Sequence, residues 1–324
     1  MATIDQDNMD TLVTVFGGSG FLGRHVIRAL AKRGYRIRVG VRRPDLAGHL
    51  QPLGRVGQIN SVQANVRYPQ SLAAAARDAH VVVNLVGVLF ERGRQGFEAV
   101  QARGAGAVAE VAASHGARLV HVSAIGADPD STSAYARSKA EGERLALAAV
   151  PGATIVRPSV VFGPEDDFLN RFAAMARISP ALPLIGGGET KFQPVFAGDV
   201  AEAVALAVDG KARPAVYELG GPEVLTFKAL MKFILAVTQR KRLLVPVPFW
   251  AAKIPAAVLQ FLPKPPLTPD QIELLKTDNV VSEAAIRDGR TLAGLGITPD
   301  SLEAIAPSYL WRFRKTGQFQ GRVA

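Results

Sequence analysis

The feature that most narrows the fold is a glycine run with a strand before it and a helix after it. Leu12-Val13-Thr14-Val15-Phe16 is apolar and β-prone. It runs straight into Gly17-Gly18-Ser19-Gly20-Phe21-Leu22-Gly23, and a helix-like stretch follows as far as Lys32-Arg33-Gly34. Glycines at 17, 20 and 23 serve a tight turn, close approach of backbone to a pyrophosphate, and close helix–strand packing. The helix start adds N–H groups and partial positive charge for phosphate. This context sets the run apart from a glycine-rich structural turn. The chain is thereby expected to bind a dinucleotide.

The next strand speaks to which dinucleotide. Residues 36–41 are β-prone and end at Arg42-Arg43-Pro44. No Asp or Glu occurs from Arg24 to Pro44. A ribose 2′-hydroxyl favours a carboxylate there, and a 2′-phosphate favours arginine. The planar guanidinium groups of Arg42 and Arg43 suit phosphate, so the expected cofactor is NADP(H), against a bland reading of both arginines as solvated surface.

Alternation of strand and helix continues. Strands are expected over 58–63, 80–87, 118–123 and 153–157, and helices over 69–76, 96–115 and 133–149. That rhythm predicts an α/β chain with a Rossmann-type doubly wound parallel sheet. From about residue 164 the loops lengthen and prolines multiply. The expected division is a nucleotide-binding domain over 11–163, with later segments returning to it, and a smaller mixed C-terminal lobe with a docking tail over 164–324. Helices are expected in that lobe over 168–177, 197–208 and 226–238.

Composition bounds the function. The 324 residues are 48% hydrophobic, ample for a core, and contain no cysteine, which excludes disulfides and thiolate chemistry. The formal charge of +10 points to an acidic partner: nucleic acid, anionic lipid or an acidic protein surface. No nucleic-acid recognition motif occurs, so nucleic acid ranks low. Residues 1–10 are polar and acidic and read as no signal peptide. No apolar run reaches the ~18 residues of a membrane span. The five histidines are scattered, so no zinc site is expected. Asp166 and Asp167 read as a solvated loop, and Gly186-Gly187-Gly188 as a flexible turn. Residues 240–264 mix Arg and Lys with Phe249, Trp250 and Phe261. They read either as core helices with snorkelling lysines or as an interfacial patch. Their prolines argue against one continuous amphipathic helix. Trp311-Arg312-Phe313-Arg314-Lys315 suits docking on an acidic surface.

Longer stretches resemble the extended or atypical short-chain dehydrogenase/reductase superfamily. They are residues 15–23, Asn84-Leu85-Val86-Gly87, Tyr135-Ala136-Arg137-Ser138-Lys139, the run 156–164, and Gln193-Pro194-Val195-Phe196-Ala197-Gly198-Asp199. Residues 267–281 and 307–314 further resemble the NADPH-binding accessory subunit of respiratory complex I in its bacterial form. The resemblance implies a cofactor site made of residues 17–23, Arg42, Arg43, Asn65, Val66, Leu85, Val86, Gly87, Ser123, Tyr135, Lys139, Pro158 and Val160. It also implies other complex I subunits as partners; an anionic membrane surface is a further partner expected from the basic and aromatic residues of 240–264. The place implied is peripheral, on the cytoplasmic side of a bacterial inner membrane.

Tyr135 and Lys139 lie four apart on an expected helix, hence on one face. In active reductases of this kind the lysine lowers the tyrosine pKa and the tyrosine relays a proton. A third hydroxyl normally ends the preceding strand. Here that strand ends Val122-Ser123-Ala124, and Ala124 takes the second of two small-hydroxyl positions. Two readings therefore stand: a structural NADPH in a complex I accessory subunit, and a free-standing NADP-dependent reductase or nucleotide-sugar epimerase.

Overall fold

The computed structural model describes residues 8–316; most of the polar N-terminal segment and the last eight residues lie outside them. The chain forms two units. Of the described residues, the first gathers 8–158, 198–219 and 283–297. Its strands are β1 (Leu12–Phe16), β2 (Arg36–Val41), β3 (Ile59–Gln63), β4 (Val81–Asn84), β5 (Arg118–Val122) and β6 (Thr154–Pro158). With Val216–Leu219 they make a seven-stranded sheet, ordered from that last strand through β6, β5, β4, β1, β2 to β3. Every pairing in it is parallel. β1 is buried along its whole length, as a central strand covered on both faces must be.

Helices α1 (Phe21–Lys32), α2 (Pro69–Ala76), α3 (Arg103–Ser114) and α4 (Ala134–Ala149) alternate with these strands. The capping chemistry explains several boundaries. Pro69 opens α2, where its missing N–H costs nothing. Ser133 caps α4 by accepting from the Ala136 N–H. The helix expected over 96–115 is broken in character, because residues Glu98–Ala102 form a π-turn before α3. Such turns recur at functional sites. One core of this unit joins Phe16, Val82, Val108, Leu119 and Ile155 across sheet and helices.

The sheet order reverses at β1, which lies between β4 and β2. That reversal is a topological switch point, where open parallel sheets hold ligands beyond the strands' carboxyl ends. Because all strands run the same way, the residues following β1, β2, β4, β5 and β6 share that edge.

The second unit gathers the described residues 159–197, 220–282 and 298–316. It is mixed, with two-stranded ladders and helices around a phenylalanine cluster. Ala181–Ile185 pairs in parallel with Leu243–Val247, and Lys191–Phe192 pairs antiparallel with Leu225–Thr226. Phe168, Phe172, Phe192 and Phe227 stack edge-on or tilted. The helix Phe227–Val237 is capped by the Thr226 hydroxyl.

Two local expectations are corrected here. Asp166 is not on a solvated loop. It is buried, and its carboxylate accepts from the N–H groups of Gly163, Leu169 and Asn170 and from the Tyr309 hydroxyl at 2.8 Å. Burial raises its pKa, and those donors oppose the rise. Asp167 does stay outside, paired with Arg171. The glycines at 186–188 form a tightly built turn rather than a slack one. All three have positive φ, and a Cβ on Gly186 would meet Phe249 at 2.3 Å. Residues 240–264 are, as expected, not one continuous helix: Leu243–Val247 is a strand, and Phe249–Leu259 is a helix that runs through Pro255.

Candidate dinucleotide site

The glycine turn is shaped by contacts that exclude side chains. Gly17 has φ of 81°, and a Cβ there would stand 3.1 Å from the backbone of Leu85 and Val86. Gly23, in the first turn of α1, would put its Cβ 2.5 Å from the Gly17 oxygen and the Gly18 carbonyl. A methyl there has nowhere to go, since backbone and not a flexible side chain opposes it. Gly20 is the N-cap of α1; it carries no capping side chain, and no acidic residue sits in the helix's first turn. Ser19, Phe21 and Leu22 complete the turn and the helix start. The α1 N-terminus thus presents backbone N–H groups without a local anion to compete for them.

The expected residues after β4 join this turn. Leu85 donates its N–H to the Phe16 oxygen at 2.9 Å, so the 85–87 segment continues beside the glycine run. A Cβ on Gly87 would stand 3.4 Å from both Gln101 Oε1 and Lys139 Nζ. That closeness sets the segment beside Lys139 of α4. Lys139 is buried, and its Nζ donates to the Val122 carbonyl at 3.3 Å. Burial pushes the Lys139 ammonium down to about 8, while Glu143 pulls it up. Glu143 is itself held by a bidentate ion pair with Arg157, at 2.8 and 2.6 Å, which shares out the negative charge. Tyr135 packs edge-on against Phe97 at 5.7 Å, and the Lys139 ammonium lies 5.9 Å from its ring centre.

Ser123 follows β5 on the same edge. Its N–H continues the ladder to the Val156 oxygen at 2.7 Å, and its buried Oγ has no hydrogen-bond partner within the protein. A buried hydroxyl left without a partner costs stability, so this atom is one that a ligand oxygen could pair with. Ala124 brings no second hydroxyl. Pro158 ends β6 in the first unit, whereas Val160 belongs to the second.

Arg42 and Arg43 follow β2 and are both exposed. Their situations differ. Arg42 donates to the neutral amide oxygen of Gln95 at 2.6 Å. Arg43 pairs with Asp45 at 2.7 Å, which lowers the Asp45 pKa and raises that of Arg43. The acid-free stretch thus ends one residue short of a carboxylate that takes up one of the two guanidinium groups. Asn65 lies after β3, where its side-chain oxygen accepts from the Arg67 N–H at 3.1 Å. The adjoining Val66 is buried and packs on Gly104 of α3.

Three residues that pattern reading missed hold this edge together. The Asn84 side-chain oxygen accepts from the Val86 N–H at 3.1 Å, and its amide nitrogen donates to His121 Nδ1 at 3.1 Å. His121 is therefore neutral with its proton on Nε2, a buried atom with no hydrogen-bond partner. Burial, and then the Lys139 charge, push the His121 imidazole down to about 3. Gln101, on the π-turn, donates to Ser138 Oγ at 3.0 Å and accepts weakly from the Val88 N–H at 3.4 Å. The available signal was a polar residue inside an apolar strand, Asn84 after three valines and His121 among Leu119, Val120 and Val122.

A separate cleft of about 710 Å³ lies wholly within the second unit, with Pro246, Phe249, Trp250, Lys253 and Lys276 among its lining residues. None of them belongs to the glycine turn or to the Tyr135–Lys139 pair.

Comparison with known proteins follows the same lines. A model of the NAD dependent epimerase/dehydratase family matches residues 13–220. The "NADH dehydrogenase [ubiquinone] 1 alpha subcomplex subunit 9, mitochondrial" of Arabidopsis thaliana is 37% identical over 320 residues, covering 94% of this chain and 79% of that protein. The likeness thus runs to the mitochondrial subunit, where the sequence resemblance pointed to a bacterial form. A "Ceramide reductase" of Caulobacter vibrioides is 41% identical over 175 residues, 54% of each chain. Among solved structures, the dTDP-glucose 4,6-dehydratase DesIV of Streptomyces venezuelae, with NAD bound, superposes with a TM-score of 0.69 at 20% identity, covering 94% of this chain and 96% of that one. At that identity the likeness speaks for the fold.

Proposed function

The chain belongs to the NAD dependent epimerase/dehydratase family, and from that premise we propose that it is an accessory subunit of respiratory complex I that holds NADPH as a structural cofactor. The observation that carries the reading is similarity to the alpha subcomplex subunit 9 along 94% of the chain, joined to a nucleotide cradle of the kind the family name implies. Other subunits of the complex are its partners. Its place is peripheral to the membrane, on the cytoplasmic face in a bacterium. Among the described residues no helix is long and apolar enough to cross a bilayer.

The residues fit the cofactor. The glycine turn at 17–23 receives the pyrophosphate on the α1 N-terminus. Arg42 faces the 2′-phosphate, with Arg43 shared between phosphate and Asp45. Asn65 and Val66 border the adenine end. Leu85, Val86 and Gly87 line the middle of the groove. Lys139 and Tyr135 hold the nicotinamide ribose, and the Ser123 hydroxyl gains there the partner it lacks within the protein. Pro158 would border the nicotinamide end. Bound nucleotide stabilises the folded subunit by mass action. When bound, NADPH can supply a hydride. The accessory reading leaves that capacity unused.

A second reading is favoured by the 41% identity to a ceramide reductase. In it the chain is an NADP-dependent reductase, and Tyr135 donates a proton to a substrate oxygen while Lys139 keeps the phenol acidic. Isolation from membranes under mild detergent separates the two. The accessory reading expects co-migration with the quinone-reducing complex. It also expects Tyr135→Phe to restore assembly in a strain lacking the chain. Migration alone, with turnover lost in Tyr135→Phe, would overturn it in favour of the reductase.

A further inference from the structure

The second unit carries a helix built inside out. Phe249–Leu259 turns its small residues, Ala252 and Ala256, inward onto Ile185 and Ile272. Its large apolar residues face outward: Trp250, Ile254 and Val258 are 71, 64 and 70% exposed. Spaced by four, they form one stripe along the helix. Phe261, 84% exposed, and Leu262 extend the apolar run just past the helix end. A soluble helix keeps such residues for its core, and a contiguous exposed apolar surface of this kind marks an interaction site.

The run of sequence that carries the stripe has charge of one sign. Between Glu223 and Asp270 the sequence contains seven lysines and arginines and no acidic residue. Lys253 is compensated by Glu273, which lies outside that run. Arg240 and Arg242 instead donate to the backbone carbonyls of Phe313 and Ala176. Burial lowers the Arg240 pKa, and Arg242 and Arg177 lie close enough for their charges to lower it further. Trp250 and Lys253 also form part of the wall of the 710 Å³ cleft, so the stripe opens onto a recess. A protein interface core is depleted of lysine. An anionic bilayer wants this combination, with aromatic and aliphatic groups at headgroup depth and cations above them.

We propose that this edge of the second unit binds membranes directly, placing Trp250, Ile254, Val258 and Phe261 into the headgroup layer of an anionic bilayer. The proposal goes beyond the accessory-subunit reading and stands without it, because it requires only lipid. The test is flotation of the purified full-length chain with phosphatidylcholine vesicles, alone or mixed with phosphatidylglycerol. Binding is expected only to the mixed vesicles and weakens as salt is raised. A Trp250→Ser/Phe261→Ser variant is expected to lose about tenfold or more in vesicle affinity while keeping its melting temperature. In a Trp311→Phe background Trp250 is the remaining tryptophan, and brominated lipid should quench it. Three results would each overturn the proposal: no flotation with anionic vesicles, undiminished flotation of the double variant, and an unquenched Trp250 in the vesicle-bound protein. The last would mean adsorption by charge alone. A chain that enters the respiratory complex yet ignores vesicles would leave the functional reading intact and remove only this one.

Discussion

Replacing Lys139 by methionine should stabilise the ligand-free protein at neutral pH and, at the same time, weaken its hold on NADPH. Lys139 is only 6% exposed, and burial lowers its pKa from 10.5 to about 8. In the unfolded chain the ammonium keeps its ordinary pKa. Below pH 8 both states are protonated, and the folded state carries the full cost of burying the charge. Between about 8 and 10.5 the unfolded chain binds a proton that the folded one does not, so stability rises with pH across that window. A depression of that size corresponds to about 3 kcal/mol at neutral pH. Methionine has a similar length and no charge. It forfeits the hydrogen bond to the Val122 carbonyl, worth about 1 kcal/mol. The net expectation is a gain of about 2 kcal/mol near pH 7, shrinking to nothing and reversing in sign near pH 10. Urea unfolding of both proteins at several pH values reads this directly, and NADPH titration should show affinity falling about tenfold or more. A variant less stable than the parent at neutral pH, or a stability difference that does not change with pH, would refute the reasoning.

Four further outcomes are expected. His121 is held neutral down to about pH 3, while the unfolded imidazole takes a proton near its ordinary 6.5. Stability should therefore fall as pH drops from 6.5 towards 3, and His121→Gln should flatten part of that acid limb in circular-dichroism melts. Gly23→Ala places a methyl 2.5 Å from the Gly17 and Gly18 backbone. It should cost about 1–3 kcal/mol and abolish nucleotide retention measured after gel filtration. Asp45→Asn releases Arg43 from its ion pair; NADPH affinity should rise a few-fold with NADH affinity unchanged, whereas Arg42→Ala/Arg43→Ala should weaken NADPH, all read by fluorescence titration. Tyr309→Phe removes one of four donors from buried Asp166 and should destabilise the second unit by about 1–3 kcal/mol, seen as a lower urea midpoint.

What the sequence disclosed is what local chemistry decides. The glycine turn is readable because φ of 81° at Gly17 and the contact at Gly23 exclude most other residues. Helix edges at Pro69, Ser133 and Thr226 are readable because a ring or a hydroxyl satisfies the first turn on its own. The rest depends on partners distant in sequence. Nothing near Asp166 announces Tyr309, 143 residues on. Asn84 and His121 are 37 residues apart and meet only because β4 and β5 pair with those residues opposite one another. Residues 249–259 show the limit differently. Their composition was plain, but which face turns inward is settled by Ile185 and Ile272 preferring the alanines. Arg43 is the near miss, since its carboxylate lies two residues away and only side-chain direction decides that they pair.

Two buried polar groups in this chain illustrate opposite uses of the same physics. Asp166 has as many donors as its two oxygens readily accept and lies beside no cationic relay, so its low dielectric surroundings strengthen every bond it makes. It is complete without any ligand. The edge at β1, β4 and β5 is not. There a lysine is buried with a carbonyl for company, a serine hydroxyl and an imidazole N–H lack hydrogen-bond partners, and a left-handed glycine holds the turn. The buried lysine, hydroxyl and imidazole each cost free energy in the isolated fold, and they cluster on one edge of one sheet. Chains keep such costs where something outside the fold offsets them. A bound dinucleotide would do so whether or not its hydride is ever transferred, because the same donors would meet its ribose and phosphate oxygens in both cases. Retention of Tyr135 and Lys139 is therefore what a structural NADPH would require as much as a reacting one. It follows that nucleotide binding alone cannot distinguish the two functions, and only turnover against assembly in the Tyr135→Phe variant can.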